Sequence, residues 1–310
     1  MIKRLNVLPF LLVAFMGLFF TNSLFSQAAP DNGIKVIPEP VSVNRQSGDY
    51  KLPVQIKVFY GGNGKDAAIN PVKKEFVARI TKQVPGAHII EAGQQQANVK
   101  FILLSKKDTT LKEEGYKLSV GAAGVTIVAN KPAGLYYGIQ TLMQLMPVGD
   151  GLKRQQDQSG VTIPKVVITD YPRFAWRGLM LDVSRHFFTK QEVMDYIDEM
   201  SRYKYNMFHW HLTDDEGWRI QINAYPRLTS VGAWNVKKVG YFGTFSAVTP
   251  EDKYDYGGFY TQEDIKEVVA YAKAHFVNIL PELDMPGHSM AAIASYPELS
   301  CTPGADKYHV

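Results

Sequence analysis

Hydrophobic and polar positions recur along this chain with two different periods, and the order in which those periods follow one another changes near Trp176. Tyr116–Val120 (YKLSV) and Val125–Ala129 (VTIVA) alternate with period two. The Gly121–Gly124 stretch between them predicts a hairpin with one buried face. Ala133–Leu145 (AGLYYGIQTLMQL) instead places apolar residues three and four apart, which predicts a helix packed on that sheet. Residues 34–168 therefore form an α+β domain. The glutamine-rich stretch Asp150–Gly160 predicts an exposed loop, and Asp170-Tyr171-Pro172 a domain boundary.

From Trp176 onward the order becomes strand, helix, strand, insertion, helix, strand, the pattern of parallel βα units. Thr189 with Glu192, and Thr261 with Asp264, have the spacing of capping boxes and predict two helix starts. Val193, Tyr196, Ile197, Met200 and Tyr203 are the expected buried stripe of the first helix. Ile265, Val268, Val269, Ala272 and Phe276 are that of the second. The aromatic and glycine-rich segment from Trp234 to Phe259 is a long excursion of the kind that more often carries function than not. Three parallel strands close no barrel, so if they open an eight-stranded one, most of it is missing.

Composition narrows the class. With 45% hydrophobic and 21% charged residues among 310, the chain is neither disordered nor fibrous. A formal charge of +4, with no basic run, argues against a nucleic-acid partner. Lys3 and Arg4, the apolar stretch Val7–Phe20, and small residues around Ser26 and Ala28 predict a cleaved signal peptide over residues 1–28. The expectation is export to a periplasm, outer surface or medium, with no stable membrane span afterwards. Cys301 is the sole cysteine, so the fold is expected to stand without an internal disulfide.

In βα folds ligands bind beyond the carboxyl ends of the strands, and polar residues cluster there: Asp182, Arg185, Asp214, Asp215, Glu216, Glu282, Asp284 and His288. Arg185 offers a rigid fork of donors suited to two neighbouring hydroxyls; its bland alternative is a salt bridge with Asp182 or Asp214. Asp214 and His288 suit a pair in which the carboxylate holds one ring nitrogen, with Pro286-Gly287 turning the ring toward a pocket. Asp215, Glu216 and Asp284 serve equally well as loop anchors. His209 and His211, two apart, share a strand face and are either polar contacts beneath the pocket or the start of a metal-hydrolase site. Trp218, Trp234 and Tyr260 offer flat faces for sugar rings if they are not simply core.

RGLMLDVSRHF, YNMFHWHLTDDEGWRI and GGFYTQEDIKEVVAYAKAHFVNILPELDMPGH together resemble the β-N-acetylhexosaminidases of glycoside hydrolase family 20. The likeness runs from Pro172 to about Cys301. EEGYKLSV and AGLYYGIQTLMQL resemble the smaller α+β domain that precedes the barrel in that family. The fold class implied is α/β: a small α+β amino-terminal domain over 34–168, then the first part of a (β/α)8 TIM barrel over 172–310. The resemblance implies that Arg185 holds hydroxyls of the terminal, non-reducing sugar. It implies that Asp214 and His288 form a relay to an acid/base glutamate. The chemistry implied is retaining hydrolysis of terminal β-linked N-acetylhexosamine, in which the substrate's own acetamido oxygen attacks, with no cofactor. N-acetylglucosamine and N-acetylgalactosamine glycosides are both candidate substrates.

One departure matters. The family's adjacent aspartate and glutamate sit in an HxGGDE motif, and these 310 residues contain none. The expectation is a sequence truncated before that pair, and a 310-residue chain that does not hydrolyse by itself. The rivals are a non-catalytic carbohydrate-binding relative and a metal-dependent TIM-barrel hydrolase built on His209 and His211.

Overall fold

The computed structural model describes residues 33–62, 67–147, 160–237, 249, 251–304 and 308–310. The expected signal segment and nearly all of the glutamine-rich stretch lie outside these, as does part of the Trp234–Phe259 excursion. No helix among the described residues is long and apolar enough to cross a membrane.

The first half is built on a seven-stranded mixed sheet. Its strands are β1 (Ser42–Leu52), β2 (Gln55–Gly62), β3 (His88–Glu91), β4 (Val99–Leu103), β5 (Tyr116–Gly121), β6 (Gly124–Ala129) and β7 (Val161–Asp170), in the order β1-β7-β5-β6-β4-β2-β3. The hairpin is present: β5 and β6 pair antiparallel with Gly121 opposite Gly124. Tyr116, Leu118 and Val120 point inward while Lys117 does not, as period two requires. Helices α1 (Asn70–Gln83) and α2 (Pro132–Gln144) bury Val72, Phe76 and Ile80, and Leu135, Ile139 and Leu142, in one apolar core with these strands.

The second half has three parallel strands, β8 (Gly178–Asp182), β9 (Met207–Asp214) and β13 (Asn278–Leu283), with β9 in the middle. Between β9 and β13 come the short pieces β10 (Gly217–Trp218), β11 (Trp234–Asn235) and β12 (Tyr256–Gly257). The arc is open rather than closed. Helices α3 (Lys190–Arg202) and, after the short turn of helix α4 (Arg227–Ser230), α5 (Gln262–Ala274) cover its outer side. There Phe208, Trp210 and Leu212 are buried with Val193, Ile197, Val268 and Ala272. Both capping boxes form, at Thr189 with Glu192 and at Thr261 with Asp264. Two stripe residues depart from expectation: Tyr203 and Val269 are exposed. Tyr203 is the residue just after α3, where the helical period no longer sets its direction. Phe276 packs against the first domain's core rather than the barrel's, its ring 5.1 Å from that of Tyr136.

Polar contacts knit the two halves. Lys204 is buried, with Nζ 2.7 Å from Asp170 Oδ2 and donating to the Tyr116 hydroxyl at 2.8 Å. Burial pulls its ammonium below the usual lysine range, although Asp170 opposes this. Asn206 donates to Glu114 and to the Ala175 carbonyl, fixing the start of β9 against the linker.

Candidate functional site

Register decides what meets at the rim. Asp182 on β8 and Glu282 on β13 both stand opposite His211 on β9, so the three side chains form one layer on the inner face of the sheet. Met180 and Leu280 flank His209 one layer below. The outer layer is polar and lies at the carboxyl ends of the strands, where βα proteins place their chemistry.

Arg185 follows β8 and is 41% exposed along its side chain. Nη1 donates to Asp182 Oδ2 at 2.7 Å, Nε donates to Glu216 Oε2 at 3.1 Å, and Nη2 lies 2.6 Å from Asp214 Oδ2. Asp182 is itself fixed, because its Oδ1 accepts the Ser184 and Arg185 backbone N–H groups. Partial burial would lower the guanidinium's proton affinity, but the bond to Asp182 and the charges of Asp182, Asp214 and Glu216 raise it. The salt bridges offered as the bland alternative are therefore real. They also aim the guanidinium, which keeps exposed surface.

Asp214 is buried and central. Its Oδ1 accepts the Asp215 N–H at 2.7 Å and its Oδ2 meets both Arg185 and His211. His288 reaches the same carboxylate, with Nδ1 3.2 Å from Asp214 Oδ1. It lies equally far from Asp215 Oδ2, and there the hydrogen-bond geometry is satisfied. The structure thus brings Arg185, Asp214 and His288 together and adds Asp215 as the ring's hydrogen-bond partner. His288 has a φ of 48° and an exposed ring whose pKa is raised, first by the bond to Asp215 and then by the charge of Asp214. Asp215 anchors a loop as well: its Oδ1 accepts the N–H of Met290, which opens helix α6 (Met290–Ser295). Asp284 is held through its backbone N–H, which donates to Thr213 Oγ1.

His209 and His211 do share a face, and both turn to Glu282 Oε2, at 2.5 Å from His209 Nε2 and 2.7 Å from His211 Nδ1. One nitrogen of each ring is engaged by that carboxylate, and the second nitrogen of His211 by Asp214. Asp214, Asp215 and His288 are close enough to surround a cation, yet their contacts to backbone N–H groups, Arg185 and one another already account for the spacing.

The aromatic candidates separate. Tyr260 is core, packed on Trp210 and donating its hydroxyl to the Phe188 carbonyl. Trp218 lies at the wall of an apolar cleft of about 330 Å³ shared with Tyr225, Met285 and Tyr296. Trp234 lines a separate cleft with Tyr254.

Sequence reasoning passed over Arg219. Its guanidinium is fully buried and donates to the carbonyls of Val183, Ser184, Ala233, Gly258 and Glu216, tying the ends of β8 and β9 to the excursion. Burial without a carboxylate partner lowers its pKa to about 10. Gly217 makes room, since a Cβ there would lie 2.1 Å from Arg219 Cζ.

Parallel strands with a carboxylate and histidine rim at their carboxyl ends, following an α+β domain, have the arrangement of the βα-barrel class. The models described as glycosyl hydrolase family 20, domain 2, and glycosyl hydrolase family 20, catalytic domain, match residues 33–171 and 174–310. The chain belongs to glycoside hydrolase family 20. It is 36% identical over 273 residues to a beta-hexosaminidase of Porphyromonas gingivalis, covering 88% of this chain and 33% of that protein. It is 36% identical to a beta-hexosaminidase of Vibrio furnissii, covering 86% and 40%. Among solved structures, the exo beta-N-acetylglucosaminidase of Vibrio harveyi bound to N-acetylglucosamine superimposes with a TM-score of 0.71 at 32% identity, covering 86% of this chain and 39% of that one. The N-acetyl-beta-hexosaminidase of Streptomyces plicatus, bound to Thio-NAglucal, also gives 0.71, at 36% identity and coverages of 88% and 50%. The chain thus spans between a third and half the length of these relatives.

Proposed function

We propose that this chain supplies the sugar-holding part of an exo-acting β-N-acetylhexosaminidase site. The carrying observation is the Arg185 fork, exposed and locked by Asp182, Asp214 and Glu216 at the strand ends. In this reading the guanidinium donates to hydroxyls of a terminal non-reducing N-acetylhexosamine. Asp214, with His288, forms the relay that orients and charges an acid/base glutamate. The hydrolysis is retaining, with the substrate's acetamido oxygen as nucleophile, and no cofactor takes part. Relatives named beta-hexosaminidase support the reaction class. Protonating the leaving oxygen falls to the glutamate, and orienting the acetamido group to the aspartate, of an HxGGDE motif that these 310 residues do not contain.

The test has two arms. The purified 310-residue chain is expected to bind N-acetylglucosamine saturably, and Arg185→Ala to weaken binding at least about tenfold, the scale of a lost charged hydrogen bond. The same chain is expected to release no chromophore from an aryl N-acetyl-β-glucosaminide. Turnover by the chain would overturn the assignment of proton transfer to the HxGGDE pair. Binding unchanged in Arg185→Ala would overturn the role of the arginine.

A further inference from the structure

We infer that His211 is the positioning residue of this site: as an imidazolium bridging Glu282 and Asp214, it holds Asp214 in place beneath Arg185. Its importance for sugar binding rests on the reading of Arg185 above, but the bridge itself is a separate claim.

The two ring nitrogens of His211 lie 2.7 Å from Glu282 Oε2 and 2.9 Å from Asp214 Oδ2. An ionised carboxylate only accepts, and a neutral imidazole carries one N–H and one lone pair. A neutral ring would press that lone pair against one of the two oxygens. The alternative tautomer, with Nε2 accepting from Arg185, has only a 3.4 Å approach from Nη1 in its favour, against the 2.9 Å contact with Asp214. Both nitrogens therefore carry protons.

Every charged group facing the ring bears on that state. Asp182 and Arg185 face it from the end of β8, His209 and Asp214 from β9, and Glu282 from β13. Glu216 and His288 act through Arg185 and Asp214. Carboxylates outnumber cations in this set, and the ring is buried, so it is held in one orientation. Burial by itself would favour the neutral ring, but the contacts to Glu282 and Asp214 raise its pKa. The consequence for the site is mechanical. Asp214 Oδ2 is shared between His211 and Arg185, so a missing ring leaves that oxygen to Arg185 alone, with Oδ1 still held by the Asp215 N–H, and an uncharged ring loses its bond to Glu282 or to Asp214.

Histidine- and arginine-labelled nitrogen NMR on the whole 310-residue chain tests this without any ligand. Expected in the wild type are two protonated His211 ring nitrogens at neutral pH and a slowly exchanging Arg185 Nε–H. Glu282→Gln should keep the bond but lower the ring's midpoint by about one pH unit, the scale of a removed neighbouring charge. His211→Gln should speed Arg185 Nε–H exchange and weaken N-acetylglucosamine binding about tenfold. A His211 ring already neutral at pH 6.5, or a midpoint unmoved by Glu282→Gln, overturns the bridge whether or not His211→Gln folds. A well-folded His211→Gln chain that binds the sugar as tightly as wild type also overturns the positioning role. A wild-type chain that shows the bridge but binds no sugar contradicts the saccharide reading and supports the bridge.

Discussion

The two sheets of this molecule bury their faces differently. The seven-stranded sheet has α1 and α2 on one face and an apolar core that contains Phe76, Phe101 and Ile127 at full burial. The β8-β9-β13 arc has α3 and α5 on its outer side only, and its inner side shows Met180 at 52% and Leu280 at 42% exposure below the polar layer of Asp182, His211 and Glu282. The first region spends its residues on packing. The second holds its rim by charge and hydrogen bonds.

Removing packing from the first region has the largest expected effect. Phe101→Ala, which empties a site lined by Tyr60 and Phe76, is expected to cost about 3–5 kcal/mol by chemical denaturation. Arg219→Ala is the counterpart in the second region, where no apolar core is touched. It removes the donor from buried carbonyls and should cost about 1–3 kcal/mol, the scale of one buried group left unsatisfied, with hydrogen exchange speeding in β10–β12 before β1–β7. Thr261→Ala removes the hydroxyl that caps α5 and should cost about 1 kcal/mol in the same unfolding assay.

The smallest effect on stability discriminates the regions by pH. Contacts with Glu282 and Asp214 raise the His211 pKa in the folded state. Its stabilising contribution is therefore fully present below the unfolded value of about 6.5 and is lost as pH rises through the higher folded value. Amide exchange at the ends of β8 and β9 is expected to quicken as pH climbs through that window, after correction for intrinsic rates. The β5 and β6 amides, backed by apolar side chains, should show no such step.

Much of this was legible locally. Period two gave the β5-β6 hairpin, the Thr-x-x-Glu and Thr-x-x-Asp spacings gave both helix starts, and the two-residue spacing of His209 and His211 put them on one face. What failed depended on distant partners. Nothing near His211 in sequence announces Glu282, which arrives some seventy residues later on β13. Arg219 and Arg185 look alike as letters after a polar cluster, yet one ends among carbonyls and the other among carboxylates. Tyr260 and Trp218 are equal as sugar platforms in sequence, and only the packing of Trp210 against Tyr260 separates them. The preference of His288 for Asp215 over Asp214 is an angular matter that adjacent aspartates cannot reveal in sequence.

The most direct measurement is a crystal structure of the chain soaked with N-acetylglucosamine. The sugar ring is expected at the rim, with hydroxyls within hydrogen-bond distance of the Arg185 guanidinium and Asp214 and His288 beside it. A ring seated instead in the cleft of Trp218, Tyr225 and Tyr296, with Arg185 making no contact, would contradict that placement.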